Sequence, residues 1–402
     1  MTKNHISSNL ASYFNVFEQS LSKPQFSHFK SWNLGILHGN AQGSDISRQF
    51  SDKSETSVTR FLSQSSWDHH ELNNERIDYA KNVLAQEYQR YTPFIIDDTS
   101  IEKYGKKLPG IDYQYSHSVG GVIWGQTLVT SHMTVAGNDI PLFVDLYQKN
   151  SDRSKIDLAR AQIKKFSLIN LPETTTPVVV TDTWYASKDL INDCVNQDFV
   201  LVSQLKRNRK MKPQQTGKWM KIMDIATKLK RSALRRVKVK GTQFRYAQIQ
   251  GTTWGLKDHQ CKILIVQQFL PGKRKWSKFT FLLSTEASMG AWTLLWIYRS
   301  RWTIENFYKF GKEQMGMAES RVLKELALLR FILLLFSSYT YLSLIRCKTS
   351  ILYRSSSSYY KSQRRTISDC RTQLISWVYI QGQEGRPLEE ILLELSLAEI
   401  SA

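Results

Sequence analysis

Cysteine is scarce in this sequence, and its spacing indicates no structural role. The four cysteines are Cys194, Cys261, Cys347 and Cys370. Because no two of them form a CxxC pair, the sequence predicts neither a disulfide framework nor a zinc knuckle. His69 and His70 are adjacent and have no partners at metal-ligand spacing, so we interpret them as surface or turn residues. These absences argue against disulfide-rich secreted proteins and zinc-dependent classes.

Hydrophobic runs long enough to cross a membrane are also lacking. The segment FILLLFSSYTYLSLI, residues 331–345, is uncharged for 15 residues, whereas a membrane-spanning helix needs about 20. The N-terminus shows no signal-peptide pattern. We therefore expect residues 331–345 to form a buried helix in a soluble cytoplasmic protein that has no membrane partner.

Acidic side chains are nearly absent between residues 201 and 280. That segment holds 21 Lys or Arg side chains against two carboxylates, Asp224 and Asp258, a net charge of +19 in a chain whose total is +20. Like charges concentrated in one segment repel one another unless something anionic binds there. A nucleic-acid phosphate backbone is the expected partner. An anionic membrane is the alternative, but the pattern is that of strands rather than of a basic amphipathic helix.

One strand of this basic segment concentrates the charge on a single face. The sequence RRVKVKG, residues 235–241, has the pattern of a strand, and alternate residues of a strand point to opposite faces. Arg236, Lys238 and Lys240 therefore share one face, and Arg235 lies on the other. We expect the three residues of the shared face to bind phosphates.

Helical and strand patterns divide the rest of the chain. Residues 1–90 have helical, polar patterns and include a candidate helix-turn-helix unit at 45–64. From about residue 93 the pattern changes to three strands, followed by helix, strand, helix and strand. An antiparallel meander followed by two helical crossovers predicts an α/β fold with a mixed sheet covered by helices. The basic strands come next, then one helix over about 288–315 and a helical tail.

The predicted helix at 288–315 carries a polar stripe. At about 100° per residue, Tyr298, Arg301, Glu305 and Lys312 fall within a stripe about 60° wide. Apolar side chains such as those of Ile304, Phe307 and Phe310 fall on the opposite side. A solvated helix face would explain this pattern. The alternative is that the carboxylate belongs to a metal site and its three neighbours hold phosphates.

Two further carboxylates stand at the ends of predicted strands. Asp97 closes the first strand, and Asp182 closes the fourth. In a sheet of this order those strands can be neighbours, so both carboxylates would lie at one edge and Glu305 would supply a third. Three carboxylates without sulfur or imidazole suit hard cations such as Mg²⁺ or Mn²⁺. Two such ions about 3.5–4 Å apart serve phosphoryl displacement.

These residues together resemble a known family, the DDE transposases of bacterial insertion sequences. Tyr298, Arg301, Glu305 and Lys312 match the signature Y-x2-R-x3-E-x6-K of one branch without a gap. The segments IIDDT (95–99) and VVTDTWYAS (179–187) occupy the places of the family's two aspartates. The resemblance covers residues 93–315 and implies an RNase H-like catalytic core that a largely β insertion interrupts.

The resemblance also implies roles for particular residues. Asp97, with Asp98 in reserve, would join Asp182 and Glu305 as catalytic ligands of two Mg²⁺ ions, for which Mn²⁺ can substitute. The three other residues of the signature would bind phosphates of the transposon end. Some members of the family use a Trp of the insertion to receive a flipped base, and the candidates here are Trp276 and Trp254.

The division of the chain and the expected partners follow from the resemblance. The five predicted parts are a helical DNA-binding domain at 1–90, the first part of the core at 91–206, the basic β insertion at 207–285, the catalytic helix at 286–318 and a helical region at 319–402. The expected partners are double-stranded DNA, from transposon ends and target, and a second copy of the chain, in a bacterial cytoplasm at the nucleoid. An RNase H-like nuclease without joining activity and a non-catalytic DNA-binding protein derived from a transposase are the alternatives.

Overall fold

The computed structural model describes residues 6–116, 119–254, 256–353 and 358–395, with the backbone alone at 257–258 and 347–353. Its first part is helical, as the sequence predicts. The helices of this part are α1 (Ser8–Asn15), α2 (Lys23–Leu37), α3 (Gly43–Phe50), α4 (Glu55–Ser63) and α5 (His69–Val83). The two helices predicted for the helix-turn-helix segment are confirmed as α3 and α4, and Ser54 caps the second by accepting the N–H of Ser57 at 3.3 Å.

Strands and helices then alternate in the predicted order, with one additional short strand, β2. The elements are β1 (Tyr91–Glu102), β2 (Asp112–Ser116), β3 (Gly121–Val135), β4 (Asn138–Tyr147), α6 (Lys155–Ser167), β5 (Thr176–Thr181), α7 (Lys188–Asn196) and β6 (Val200–Leu205). Strands β1, β5 and β6 are parallel neighbours, whereas β3 is antiparallel to both β1 and β4. The predicted α/β fold with a mixed sheet is confirmed.

The basic segment contributes mostly strands. Its elements are β7 (Lys210–Pro213), β8 (Met220–Lys221), α8 (Ile222–Thr227), β9 (Arg235–Val239), β10 (Thr242–Thr253), β11 (Leu256–Leu270), β12 (Lys275–Trp276) and β13 (Thr280–Ser284). Within the described residues all strands join one sheet of order β2-β3-β1-β5-β6-β13-β11-β10-β7-β8, with β4 on β3, β9 on β10 and β12 on β11. Because β13 pairs with β6, the segment continues the sheet that carries β1 and β5.

Five helices follow in the described part of the chain after β13. They are α9 (Ala291–Arg299), α10 (Trp302–Gln314), α11 (Glu325–Tyr353), α12 (Tyr359–Gln383) and α13 (Leu388–Glu394). The last seven residues of the predicted region 319–402 lie outside the described residues. Helices α9, α10 and α11 cover one face of the sheet, and α6 and α7 cover the other.

Helix α11 confirms the buried helix predicted at 331–345. Phe331, Leu335 and Phe336 are completely buried, and the helix contacts α2, α4, α5 and strand β4. A stretch of 22 residues, Glu325–Arg346, is long and apolar enough to cross a membrane, but 89% of its most apolar window is buried inside the protein. This helix therefore completes a core that it shares with the N-terminal helices.

Candidate active site

The alternation of strand β1 decides which way its two adjacent acids point. Ile95 packs in the core beneath helices α9 to α11, whereas Ile96 packs in the core beneath α6 and α7. Side chains two residues apart share a face, so Asp97 points toward α10 and Asp98 points toward α6. The contacts of the two carboxylates follow this division.

Asp97 is enclosed and in contact with a cation. Its Oδ2 accepts a hydrogen bond from Nη1 of Arg301 at 2.8 Å, and its Oδ1 accepts one from the N–H of Asp98 at 2.9 Å. Burial raises the pKa of Asp97 to about 7; Arg301 opposes that rise, and the carboxylates of Asp182 and Asp98 add to it. Burial, more than the neighbouring carboxylates, therefore disfavours the ionised form of this side chain.

Asp98 is held by partners on the other face of the sheet. Its Oδ2 accepts from Nζ of Lys155 at 2.7 Å, and its Oδ1 accepts from the hydroxyl of Tyr185 at 2.9 Å. Tyr185 is completely buried. Both oxygens of Asp98 are thus engaged in contacts that join β1 to α6 and to the segment after β5.

Asp182 follows the last residue of β5 and shapes the turn there. Its Oδ1 accepts the backbone N–H of Trp184 at 2.7 Å and that of Tyr185 at 3.3 Å. Such bonds from an Asp side chain to the backbone two and three residues on fix a local turn. The parallel register of β1 and β5 places Asp182 beside Asp97, but β1 continues to Glu102, so the prediction that Asp97 closes this strand is wrong.

The predicted single helix over 288–315 is wrong, because the chain is interrupted between α9 and α10. At the interruption the backbone makes bonds of i to i+3 type, from the N–H of Arg301 to the carbonyl of Tyr298 at 3.2 Å and from that of Thr303 to Ser300 at 2.9 Å. The hydroxyl of Ser300 donates to the carbonyl of Ile297 at 2.6 Å. Ser and Thr hydroxyls that bond to nearby carbonyls compete with the helical ladder.

The four residues of the polar stripe nevertheless lie on one side, as predicted. The hydroxyl of Tyr298 donates to Oε1 of Gln204 at 2.8 Å, and Nζ of Lys312 donates to the carbonyl of Ser100 at 2.9 Å. Arg301, besides its bond to Asp97, donates from Nη2 to Glu305. Burial raises the pKa of Tyr298 to about 12 and lowers the pKa of Lys312.

A cavity of about 630 Å³ brings most of these side chains together. The predicted site residues that line it are Asp97, Asp98, Asp182, Arg301, Glu305 and Lys312. Tyr298 stands outside this lining, with its hydroxyl on β6. The cavity also borders Tyr308, whose hydroxyl donates to the backbone carbonyl of Asp97 at 3.0 Å and thereby fixes α10 against β1.

The apolar side of α10 packs against both the sheet and helix α11. Phe307 has ring-centroid distances of 4.6 Å to His132 of β3, 5.6 Å to Phe336 and 4.8 Å to Tyr339, whereas the polar side faces strand β1. Helix α11 thus covers much of the apolar face, which frees the opposite face to bring Glu305 to the carboxylates of the sheet.

The basic strand β9 places its side chains largely as predicted. Val239 is buried and Val237 half-buried, whereas Arg236 and Lys238 are exposed on the other face. Lys240 lies beyond the strand in a left-handed turn, with φ of 45°, and its ammonium is 5.3 Å from the ring centroid of Trp296. It therefore does not continue the face formed by the other two residues.

Across the ladder, Arg236 of β9 is paired with Arg245 of β10. Burial and the charges of Arg231 and Arg236 lower the pKa of Arg245. Like charges directly opposite each other on neighbouring strands are destabilising. Arg231, Arg236 and Arg245 therefore form a local concentration of positive charge.

Both predicted base-stacking tryptophans already contact an arginine. The guanidinium of Arg245 lies 4.7 Å from the ring centroid of Trp276, and that of Arg209 lies 4.3 Å from the ring centroid of Trp254. Both indoles are half-buried. Trp276 belongs to the surface of Arg236 and Arg245, whereas Trp254 packs against the core.

One aromatic side chain beside the cavity was not singled out from the sequence. Trp184 is 57% exposed, two residues after Asp182, and the ammonium of Lys206 is 5.9 Å from its ring centroid. The backbone bonds to Asp182 hold it at the edge where the carboxylates converge. The signal was present in TDTWYAS, because an indole two residues after a strand-end acid lies beyond the strand.

The fit of a divalent cation depends on Arg301. Among the residues that the structure describes, no group of three or more His, Cys, Asp or Glu side chains is arranged to hold one metal ion. The guanidinium of Arg301 lies between two of the three carboxylates. The donor chemistry fits nonetheless, because carboxylate oxygens suit Mg²⁺ and the three predicted carboxylates line one cavity.

Comparison with known proteins identifies the family of most of the chain. No curated protein matches the chain. A cryo-EM structure of the piggyBac transposase synaptic complex with hairpin DNA is a distant structural match, at 13% identity and a TM-score of 0.46 over 92% of this chain and 78% of that chain. Residues 88–341 match the family described as the transposase DDE domain. That match covers more than half of the chain, and the chain therefore belongs to the family of transposase DDE domains.

Proposed function

We propose that this chain is the DNA transposase of a bacterial insertion sequence. It binds the terminal inverted repeats, cleaves DNA strands there and joins the resulting 3′-OH to target DNA. The observation that carries this proposal is the single cavity lined by Asp97, Asp182 and Glu305 together with Arg301 and Lys312, in a chain of the transposase DDE family.

The strand order supports an RNase H-like core within this proposal. Strands β4, β3, β1, β5 and β6 are consecutive neighbours, with the meander antiparallel and the crossover strands parallel. That is the arrangement expected of such a core, and β7 to β13 then correspond to the insertion. The two aspartates stand on adjacent parallel strands, and α10 brings Glu305 to them.

In the proposed reaction Asp97, Asp182 and Glu305 hold two Mg²⁺ ions, with Mn²⁺ as a substitute. Bound divalent ions stabilise the attacking and leaving oxygens of an in-line displacement at phosphorus. Arg301 and Lys312 bind phosphates on either side of the scissile bond and fix its orientation. Tyr298, whose hydroxyl bonds to Gln204 of β6, also binds phosphates of the transposon end.

DNA contacts extend beyond the cavity in this proposal. The exposed residues Arg236 and Lys238, with Arg245 opposite, bind the phosphate backbone. Trp184 offers an indole face to an unstacked base near the reacting phosphate. Because two transposon ends must be joined, the active form contains at least two copies of the chain, acting on DNA in the bacterial cytoplasm.

The test is cleavage and joining of a labelled duplex taken from the DNA that flanks the gene, in Mg²⁺. Asp97→Asn, Asp182→Asn and Glu305→Gln should each abolish cleavage while DNA binding persists, because the carboxylates do not contact the distant basic surface. Asp193→Asn is the matched control, since its side chain is 17% exposed against 16% for Asp97 and is also paired with an arginine. It should cleave like the wild type.

The same assay separates the two alternatives. Cleavage without any joined product would identify an RNase H-like nuclease. Binding without cleavage by the wild type would identify a non-catalytic DNA-binding protein. Wild-type cleavage by any one of the three carboxylate variants would remove that residue from the site.

A further inference from the structure

Arg301 occupies the centre of the carboxylate cluster. One guanidinium donates from Nη1 to Asp97 at 2.8 Å and from Nη2 to Glu305. The Arg301 side chain is only 17% exposed, and those of Asp97 and Glu305 are 16% and 32% exposed. The Arg301 guanidinium, a cation of the protein itself, therefore lies between two of the proposed metal ligands.

A divalent cation and this guanidinium compete for the same oxygens. Oδ2 of Asp97 is taken by Arg301, and its Oδ1 is taken by the N–H of Asp98. Two cations a few ångströms apart also repel each other, and the repulsion is stronger near a protein surface than in bulk water. Metal ions can reach Asp97 and Glu305 together only after the guanidinium moves away.

DNA offers the guanidinium a new partner. The planar fork of an arginine matches a phosphate group as well as a carboxylate. Arg301 lies at the interruption between α9 and α10 and faces the cavity that also contains Lys312. A phosphate bound at Lys312 would lie within the same cavity as Arg301 and compete with the carboxylates for it.

We propose that Arg301 is a latch that keeps divalent ions out of the carboxylate site until a DNA phosphate draws its guanidinium away. Metal and DNA therefore bind cooperatively, and the free protein in the cell carries no loaded nuclease site. This inference rests on the proposed function, because it takes Asp97 and Glu305 as metal ligands. By reciprocity, metal must strengthen DNA binding by the same factor as DNA strengthens metal binding.

The experiment measures binding of Mn²⁺ alone, by electron paramagnetic resonance of the free ion, to the full-length protein with and without the flanking-DNA duplex. Wild-type protein should bind Mn²⁺ more tightly with DNA than without it, by a factor between about 5 and about 150. Arg301→Ala should raise the affinity without DNA by a similar factor, and the effect of DNA should then shrink. Arg301→Gln, which keeps hydrogen-bonding capacity, replaces it if the alanine variant does not fold.

Lys312→Ala is the matched control for the loss of one positive charge. Lys312 lines the same cavity, but its ammonium donates to the carbonyl of Ser100 rather than to a carboxylate. Its removal should raise Mn²⁺ affinity without DNA much less than removal of Arg301 does. Equal effects of the two variants, or equal Mn²⁺ affinity of the wild type with and without DNA, would overturn the latch.

Asp97→Asn distinguishes failure of the latch from failure of the proposed function. If this variant binds Mn²⁺ like the wild type in the DNA complex, the carboxylate site itself is wrong. If it loses Mn²⁺ while Arg301→Ala behaves like Lys312→Ala, the site is correct and the latch alone is refuted.

Discussion

Two arginines face each other across β9 and β10, and we expect removal of one to raise the stability of the free protein and to lower its affinity for DNA. Arg236 is the direct neighbour of Arg245 on the next strand, and the charges of Arg236 and Arg231 lower the pKa of Arg245. Replacing Arg236 by Gln removes one member of the pair and keeps a long polar side chain. The free protein should become more stable, and its complex with DNA should become weaker.

The size of each effect follows from the placement of Arg236. A like-charge pair directly opposite on neighbouring strands costs about 0.2–1 kcal/mol, so Arg236→Gln should raise the free energy of unfolding by up to about that amount. One lost phosphate contact should make the slope of log affinity against log salt shallower by about 0.9. Over a fourfold change in salt, such a contact is worth about 3.5-fold in affinity.

Urea denaturation of the free protein and DNA titrations at several salt concentrations measure the two quantities. Arg365→Gln is the matched control, because Arg365 is 55% exposed on α12 and paired with Asp369 at 4.0 Å. It removes the same charge. It should leave the salt slope unchanged and should not raise the free energy of unfolding. An unchanged salt slope in folded Arg236→Gln protein would show that this face does not touch DNA.

Three further predictions concern the edge of the sheet that carries the acids. Trp184→Ala should weaken DNA binding by about 1–3 kcal/mol without lowering the melting temperature. The control is Trp292→Ala, which removes an indole that is 51% exposed at the start of α9 and should leave DNA binding unchanged. Equal losses of affinity would contradict the role of Trp184. In metal-free protein, Asp97→Asn should be more stable than the wild type at pH 8, and that advantage should disappear as the pH falls to about 4, because burial raises the folded-state pKa of Asp97 to about 7 while the unfolded carboxyl keeps an ordinary pKa of about 3.9, so the wild type gains stability as the pH falls from the first value to the second; urea unfolding at pH 8 and about pH 4 decides, and no pH-dependent difference would refute it. Asp98→Asn should destabilise the fold by about 1–3 kcal/mol, since it weakens the bonds to Lys155 and Tyr185, and an unchanged melting curve would contradict that.

The acids and the polar stripe could be predicted from the sequence because they depend on short-range periodicity. Period two in β1 separates Asp97 from Asp98, and the strand of valines before Asp182 marks a buried parallel strand. The spacing from Tyr298 to Lys312 survives the helix interruption, since a turn of i to i+3 bonds shifts the direction of later side chains only modestly. The local sequence pattern thus predicts most of the residues of the site.

What the sequence could not indicate depends on partners that are distant along the chain. The apolar face of α10 meets Phe336 and Tyr339, and nothing in the spacing of Phe307 says whether a sheet or a later helix covers it. The contact of Arg301 with Asp97 joins residues 204 positions apart. Lys240 left the predicted strand face because a residue with positive φ ends β9 one position earlier than the alternation suggests.

Helix α11 has a consequence for how the protein is made. The N-terminal helices share their core with it. Arg330 donates to the carbonyl of Leu62 at 3.1 Å, although the two residues are 268 positions apart in the sequence. On the ribosome, residues 6–84 emerge more than 200 residues before this helix. Their apolar faces therefore stay uncovered while the sheet is still being synthesised. Chaperones have their longest opportunity to bind there. A frameshift or stop codon upstream of residue 325 therefore leaves an aggregation-prone remnant, and an intact carboxyl-terminal reading frame is what lets the amino-terminal helices fold.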